Sequence, residues 1–156
     1  MHNYLTVPIL LCLSAAVTSH PLQERAYDGG GNPLESDYCS WKHPTHWSNC
    51  YTAKGDADTS LAAAEQLFPT STHNGKGDAF RHCYWNALMT IHMGEGKAKI
   101  FGDMHENGTP NNPPREKAMD LANNARGRSV GTSERYVGAA KEKCRSLAVD
   151  GSLVTL

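Results

Sequence analysis

The sequence predicts an all-α fold in which four or five helices pack around a central helix at about residues 78–93. In that stretch, apolar residues recur every three or four positions and give one continuous apolar face. No glycine or proline interrupts the stretch, and Gly94 follows where the C-terminal cap of a helix is expected. Similar spacing recurs in four other segments of the chain.

The opposite face of the central helix carries polar residues in a row. Asp78, His82 and Asn86 are four residues apart, so their side chains lie on one stripe of the helix. Large apolar residues flank this stripe, among them Trp85, and a solvated helix face seldom carries such residues. We therefore expect a helix that is packed on both sides, with the polar stripe facing a lined cavity.

The four other helices are predicted from the same periodicity and from the signals at their ends. Asp58 is the expected N-cap of the first, and Pro69 stops it. Gly127 marks the expected end of the third. A small hairpin around Asp150-Gly151 is a possible C-terminal element, since short apolar pairs flank this turn sequence. The four helices are expected at about 58–68, 95–106, 113–126 and 132–147.

The N-terminal part of the chain has the pattern of a secretion signal. The apolar run Leu5–Val17 is too short for a membrane span and ends in small residues, which indicates a signal peptide over residues 1–19. Residues 20–37 are expected to be a short pro-segment followed by a flexible, glycine-rich arm. Residues 38–156 then form a single helical domain with a modest core. We expect a secreted, extracellular monomer without a transmembrane segment.

The cysteines left after removal of the signal peptide predict two disulfide bonds. An even number of cysteines in a small secreted chain indicates a disulfide framework. Cys39 and Cys50 flank one loop, whereas Cys83 and Cys144 lie on the apolar faces of two predicted helices. We therefore predict the pairs Cys39–Cys50 and Cys83–Cys144. A zinc site built from these cysteines is disfavoured because no C-x-x-C pair is present.

Composition excludes several classes of protein. The chain is 39% hydrophobic and 20% charged, which is typical of neither a disordered nor a membrane protein. Its net charge is −1, and acidic and basic residues are interspersed. No basic field therefore favours nucleic acid or an anionic bilayer as a partner.

Polar residues of three predicted helices are candidates for a catalytic centre. Groups three or four residues apart share a helix face, so each helix can bring a carboxylate towards the polar stripe. A hydrolytic centre needs a proton acceptor that works near neutral pH and a group that orients it, and a histidine with an aspartate supplies both. We predict His82 as the base, oriented by Asp78, Asp103 or Asp120. The catalytic candidates are His82, Asp120, Glu106 and Asp103.

Neighbouring side chains are candidates for binding a substrate or a metal. Guanidinium groups bind phosphates and carboxylates through parallel hydrogen bonds. A divalent cation, calcium, magnesium or zinc, is also possible because carboxylates supply hard oxygen ligands, with Asp78 and Asp103 as candidates. No tight ligand motif such as H-E-x-x-H is present. The substrate-binding candidates are Arg81, Asn86, Asn123, Asn124, Arg126 and Trp85.

Three blocks of the sequence, in this order, resemble a bacterial domain family without an assigned activity. That family is often the last domain of secreted or toxin-like proteins, so the resemblance implies an antagonistic effector. A looser similarity is to small secreted fungal phospholipases A2, which are helical, carry two disulfides and have R-H-D on a central helix. Here Cys83 follows Arg81-His82, and no calcium loop is recognisable. The three blocks are D-A-F-R-H with W-N and L-M at 78–89, G-D-x-H-E at 102–106, and P-x-E-x-x-M-D-L-x-N-N-x-x-G-R at 114–128.

These observations lead to one functional expectation and two alternatives. We expect a small secreted hydrolase that acts on a phosphodiester or phospholipid ester, because arginines accompany the acid/base groups. Its substrate would then be an envelope, lipid or nucleic-acid component of another cell. A cell-wall glycan hydrolase with Glu106 as the acid is one alternative. The other is a non-enzymatic, disulfide-stapled binding or effector protein whose polar interior is structural.

Overall fold

The computed structural model describes residues 32–40 and 42–156 of the chain, and the described part is helical without a strand. The predicted all-α class is therefore confirmed. The predicted signal peptide and pro-segment lie outside the described residues. A short 3-10 helix, Pro44–His46, precedes the second α-helix. The α-helices are α1 Pro33–Tyr38, α2 Trp47–Leu67, α3 Lys76–Met93, α4 Glu95–Gly108, α5 Pro114–Glu134 and α6 Val137–Val149.

The predicted central helix is confirmed as α3. Between Gly77 and Thr90 every residue except Arg81 is buried, and α3 contacts α2, α4, α5 and α6. One apolar cluster packs α3 against α2, α5 and α6 around Phe80 and Leu88. A second packs it against α2 and α4 around Trp85 and Met89. The helix is thus packed on all sides, and its polar stripe faces another helix rather than a lined cavity.

The closest approach to α3 is made by α5, which runs parallel to it. The hydrogen-bonded pairs that join these helices include His82 with Asn124 and Asn86 with Arg128. Both of these pairs are 42 residues apart in sequence, and because this separation stays constant along the helices, the two helices are parallel. A Cβ atom at Gly127 would overlap the carbonyl oxygen of Cys83, and one at Gly131 would lie 2.5 Å from the carbonyl oxygen of Ala87. Glycine at both positions therefore permits this helix pair.

Both predicted disulfides are present. Cys39–Cys50 ties the segment after α1 to α2, and Cys83–Cys144 ties α3 to α6. The first closes a short loop, whereas the second joins the central helix to the last one across 61 residues of sequence. No helix in the described part of the chain is long and apolar enough to cross a membrane.

Three expectations about helix boundaries were wrong. The helix placed at 58–68 begins at Trp47, because its buried face consists of small residues such as Ala53 and Ser60 that give little apolar signal. The helix expected to end at Gly127 continues to Glu134, since this glycine serves helix packing and not termination. The last helix is Val137–Val149 and does not begin at Thr132.

The C-terminal hairpin is also absent. Gly151 has φ 82° and ends α6, and the amides of Ser152 and Leu153 both donate to the carbonyl oxygen of Leu147. This is the hydrogen-bond pattern of a glycine-ended helix. The arm expected to be flexible through Asp37 forms α1 from Pro33 onward, because Asn32 caps that helix and also donates to the carbonyl oxygen of Met104 at 2.9 Å.

Replacing glycine by alanine should destabilise the protein in α5, although alanine has the higher helix propensity. Gly127→Ala should lower the free energy of unfolding by about 1–3 kcal/mol or more, because the added methyl group overlaps the backbone of α3. The matched control is Gly55→Ala, in the middle of α2, where nothing lies within 4 Å of the added atom. That change should stabilise the protein by about 0.5–1 kcal/mol. Urea denaturation of both variants measures the contrast, and equal effects would contradict it.

The two disulfides should differ in their contribution to stability. Loop-closure entropy predicts losses of about 4 kcal/mol for the Cys83→Ala/Cys144→Ala double variant and about 3 kcal/mol for Cys39→Ala/Cys50→Ala. The difference arises because the sequence separations are 61 and 11 residues. Chemical denaturation of the two double variants checks the order. A larger loss for the shorter loop would mean that packing around α1 dominates.

Candidate active site

Two polar stripes face each other where α3 packs against α5. On α3 the stripe consists of Asp78, His82 and Asn86, and each residue is buried. On α5 the facing residues are also four apart, which places them on one side of that helix. They are Asp120, Asn124 and Arg128, and they too are buried.

Arg128 fixes the direction of the hydrogen bonds along these stripes. An arginine only donates, so Nη1 of Arg128 donates to Oδ1 of Asn86 at 3.2 Å. The amide nitrogen of Asn86 must then face Asn124, and it donates to Oδ1 of Asn124 at 2.7 Å. That oxygen also lies 3.1 Å from Nδ1 of His82. Because an amide oxygen accepts only, Nδ1 of His82 carries the proton, and Nε2 is unprotonated and can only accept.

Charged groups surround this Nε2 lone pair. Nη2 of Arg81 contacts Nε2 directly and also donates to Oδ1 of Asp78 at 2.8 Å. Oδ1 of Asp120 lies 3.2 Å from Nε2, and Oδ1 of Asp78 lies 3.7 Å from it. The carboxylates of Asp78 and Asp120 therefore lie on the unprotonated side of the ring. The predicted carboxylate orienter is replaced at Nδ1 by the amide of Asn124.

Glu106 of α4 lies behind the protonated side of the ring. Its Oε1 is 3.5 Å from Nδ1 of His82 and 3.5 Å from the amide nitrogen of Asn124. Asn112, just before α5, donates to Oε2 at 3.1 Å. Gly102 lets α4 approach, because a Cβ atom there would lie 3.0 Å from Oδ1 of Asn86. A buried carboxylate thus supports the amide that orients His82.

Burial and neighbouring charges separate the pKa values in this cluster. Burial and the charge of Arg81 hold the pKa of the His82 imidazole well below its usual value. Burial, with the nearby Glu106 and Asp78, raises the pKa of Asp120 to about 8. For Asp78, burial alone would raise the pKa, but the charges of Arg81 and His82 and the hydrogen bonds from Asn74 and Arg81 together outweigh burial, and the pKa is lowered. Burial raises the pKa of Glu106. At pH 7 a neutral imidazole therefore lies beside a protonated Asp120 carboxyl.

Sequence comparison assigns the chain to a family but to no activity. A family model described as a domain of unknown function, DUF6973, matches residues 39–149. The chain belongs to this family. The matched range contains α2 to α6, both disulfides and the whole polar cluster. No solved structure matches the chain.

Within this family member, several residues predicted to join the site lie elsewhere. Asp103 pairs with Lys99 on α4, and its side chain is 33% exposed. Asn123 holds the C-terminal segment, since its amide group exchanges two hydrogen bonds of 2.9 Å with the backbone of Val154. Arg126 is exposed. Trp85 is buried and donates to the carbonyl oxygen of Ala53 at 3.0 Å. The structure brings together Asp78, Arg81, His82, Asn86, Glu106, Asp120 and Asn124.

The predicted substrate-binding residues do not include Arg128 or Asn112, although both make hydrogen bonds within the site. Arg128 follows Asn124 by one helical turn, and that spacing could have placed it on the same stripe. A second histidine–carboxylate pair was also missed. Nδ1 of the partly exposed His92 lies 2.9 Å from the buried carboxylate of Asp56 and joins α3 to α2. Nothing in the spacing of these two residues signals their contact.

The raised pKa of Asp120 has a consequence for stability. A folded-state pKa of about 8 against an ordinary value of 3.8 means that the native protein retains a proton which the unfolded chain releases. Stability from this group is therefore complete below pH 4 and is lost as the pH rises through 8. Glu106, Asp78 and Glu116 strengthen this effect and Arg81 weakens it. Asp120→Asn should remove it, leaving the variant roughly 2–4 kcal/mol more stable than wild type at pH 9.

Denaturation curves between pH 5 and 9 measure this difference. Asp103→Asn is the matched control, because its carboxylate is partly exposed and paired with Lys99 outside the cluster. Its stability difference from wild type should stay within about 0.5 kcal/mol across the range. If Asp120→Asn were less stable than wild type at pH 9, Asp120 would be an ionised partner in a favourable pair, against the expectation.

Proposed function

We propose that the protein is a small secreted hydrolase whose acid/base centre is His82 with Asp120. The observation that carries this proposal is the unprotonated Nε2 of His82, 3.2 Å from Oδ1 of Asp120. General acid/base catalysis needs an unprotonated acceptor and a nearby donor that work at the same pH. A neutral imidazole beside a protonated carboxyl meets this need, because the two environments push the pKa values apart in opposite directions.

The position of Arg81 supports a phosphodiester or phospholipid ester as the substrate. In the cluster Arg81 is the most exposed side chain, at 25%, whereas His82 is 1% exposed. A phosphate group would reach Arg81 first and compete with Asp78 for the guanidinium. Movement of Arg81 towards the phosphate would uncover Nε2, which then accepts a proton from the attacking water. The resulting hydroxide would form a bond to the phosphorus or ester carbon as the bond to the leaving alkoxide breaks. Asp120 would donate its own proton to that alkoxide, and the proton on His82 would then pass to Asp120 and restore both groups.

The family resemblances and the disulfides support the proposed substrate class, the effector role and the extracellular location. Arg81-His82 on a central helix and the two disulfides are features of small secreted fungal phospholipases A2, which favours a lipid ester. Cys83, which stands where those enzymes have aspartate, is bonded to Cys144. The three-block pattern resembles bacterial domains at the ends of toxin-like proteins, which favours an antagonistic effector. Disulfides are typical of oxidising compartments, and we therefore propose an extracellular location.

Burial of the centre favours one rival proposal. His82 is 1% exposed and Glu106 is 2% exposed, as expected if the cluster were only a structural polar network in a non-enzymatic effector. A glycan hydrolase with Glu106 as the acid gains no support, because both oxygens of that buried carboxylate face amides of Asn112 and Asn124. The structural network is therefore the alternative that the test must separate.

An activity screen with three variants makes that separation. Wild type is assayed on phospholipid vesicles, nucleic acid and cell-wall glycan, and cleavage of a phosphodiester or phospholipid is expected. His82→Ala and Asp120→Asn should each lower the rate at least 100-fold, which is typical of losing a general acid or base. The control Asp103→Asn removes a carboxylate outside the cluster and should keep the rate within about threefold.

Thermal midpoints of the same proteins distinguish catalysis from scaffolding. His82→Ala leaves its partners unpaired in the interior and should cost about 1–3 kcal/mol, so activity is compared at temperatures where every variant is folded. Asp120→Asn should lose activity without losing stability. A folded wild type that cleaves none of the three substrates, together with variants that differ only in thermal midpoint, would support the scaffold and overturn the proposed hydrolase.

A further inference from the structure

Three side chains of the cluster converge in a way that acid/base catalysis does not require. Asp78, His82 and Asp120 each offer one ligand atom, and these atoms all lie within 4.8 Å of one another. The set is two carboxylate oxygens and one imidazole nitrogen, which is a donor set that divalent zinc accepts in proteins. All three residues are buried.

Asp120 supplies a second and independent observation. Its side chain is 9% exposed, yet Oδ1 accepts no hydrogen bond within the described part of the chain. The atom that it faces is Nε2 of His82, which bears a lone pair and no proton, as the hydrogen bonds from Arg128 require. Two acceptors 3.2 Å apart repel unless positive charge lies between them. A proton or a metal cation meets that condition.

The spacing of the donor atoms fits a tetrahedral zinc site. With zinc–ligand distances of about 2.0–2.2 Å, neighbouring ligand atoms are roughly 3.3–3.5 Å apart. The distances from Nε2 of His82 are 3.2 Å to Oδ1 of Asp120 and 3.7 Å to Oδ1 of Asp78. The ligand oxygens of Asp78 and Asp120 lie within 4.8 Å of each other, so side-chain rotations that bring these two atoms closer would place all three on one ion.

The groups behind these ligands are those that a metal site needs. A histidine that binds a metal through one nitrogen usually donates its other N–H to an oxygen, which fixes the ring. Nδ1 of His82 donates to Oδ1 of Asn124 in this way. Oδ2 of Asp78 accepts from the backbone amide of Asn74 at 2.7 Å, which leaves Oδ1 for the ion. Two of the three ligands are thus already oriented.

Arg81 supplies the positive charge at this point in the present structure. Its Nη2 contacts both Nε2 of His82 and Oδ1 of Asp78, the same atoms that a cation would take. The side chain is 25% exposed, so it can turn outward when an ion enters. We infer that Asp78, His82 and Asp120 form a binding site for one zinc ion and that Arg81 competes with the ion for it.

The zinc site is independent of the proposed hydrolytic activity, but both would use Nε2 of His82. A bound zinc ion takes the Nε2 lone pair that the proposed base uses. Added zinc should therefore lower any hydrolysis that depends on His82 as a base. Binding is measured without any substrate, so the site and the activity can succeed or fail separately.

Calorimetric titration with zinc chloride tests the site. The full chain without a histidine tag, with intact disulfides and freed of metal by a chelator, should bind zinc with a stoichiometry of one. Asp120→Asn and His82→Gln should weaken binding at least 100-fold. The controls Asp103→Asn and His92→Gln remove a carboxylate and a histidine outside the cluster and should leave the affinity within about threefold.

Arg81→Met gives the sharpest contrast, because it should tighten zinc binding at least tenfold by removing the competing cation. It also keeps the inference testable if His82→Gln fails to fold. The inference is overturned if wild type binds no zinc at a stoichiometry of one, if the ligand variants bind as wild type does, or if Arg81→Met weakens binding. Zinc binding in a protein without hydrolytic activity would support the site while counting against the proposed hydrolase. Hydrolysis without zinc binding would support the proposed hydrolase and overturn the zinc site.

Discussion

The close parallel packing of α3 against α5 is the constraint on which both the fold and the polar cluster depend. Gly127 and Gly131 let the two backbones touch, at the carbonyl oxygens of Cys83 and Ala87. At that spacing, side chains as short as asparagine can bridge the helices, as Asn86 and Asn124 do at 2.7 Å. The apolar clusters on the other faces of α3 and the disulfide from Cys83 to α6 then hold the central helix in place.

The polar layer between these helices is more than a set of satisfied groups. Buried polar atoms are tolerated when each has a partner, and the side-chain amides of Asn86 and Asn124 meet that rule because Arg128 fixes their orientation. Asp120 does not meet it. A carboxyl held at a pKa of about 8 is a cost in stability that an asparagine would avoid. Such costs concentrate at functional sites, and this cost is one of the grounds on which we propose a chemical role for the layer.

The features that depend on local residue spacing could be predicted from the sequence. Those that depend on contacts between helices could not. Helical periodicity found α3, its polar stripe and the disulfide between Cys83 and Cys144. The same periodicity could not choose between Asp103 and Glu106, which lie on one helix, because only the placement of α4 turns Glu106 inward. Gly127 has the same local signature whether it ends a helix or permits close packing. The partner of Nδ1 of His82 likewise depends on the register between α3 and α5, which no single helix encodes.

The parallel direction of α3 and α5 also has an electrostatic consequence. Each helix carries a partial positive charge at its N-terminus, and two parallel neighbours bring those like charges together. Asp78 lies in the first turn of α3 and Glu116 in the first turn of α5, while His92 lies in the last turn of α3. Each carboxylate near an N-terminus offsets the repulsion by about 0.3–1 kcal/mol. The carboxylates of Asp78 and Glu116 thus offset part of the repulsion between two aligned helix macrodipoles whose positive ends lie side by side.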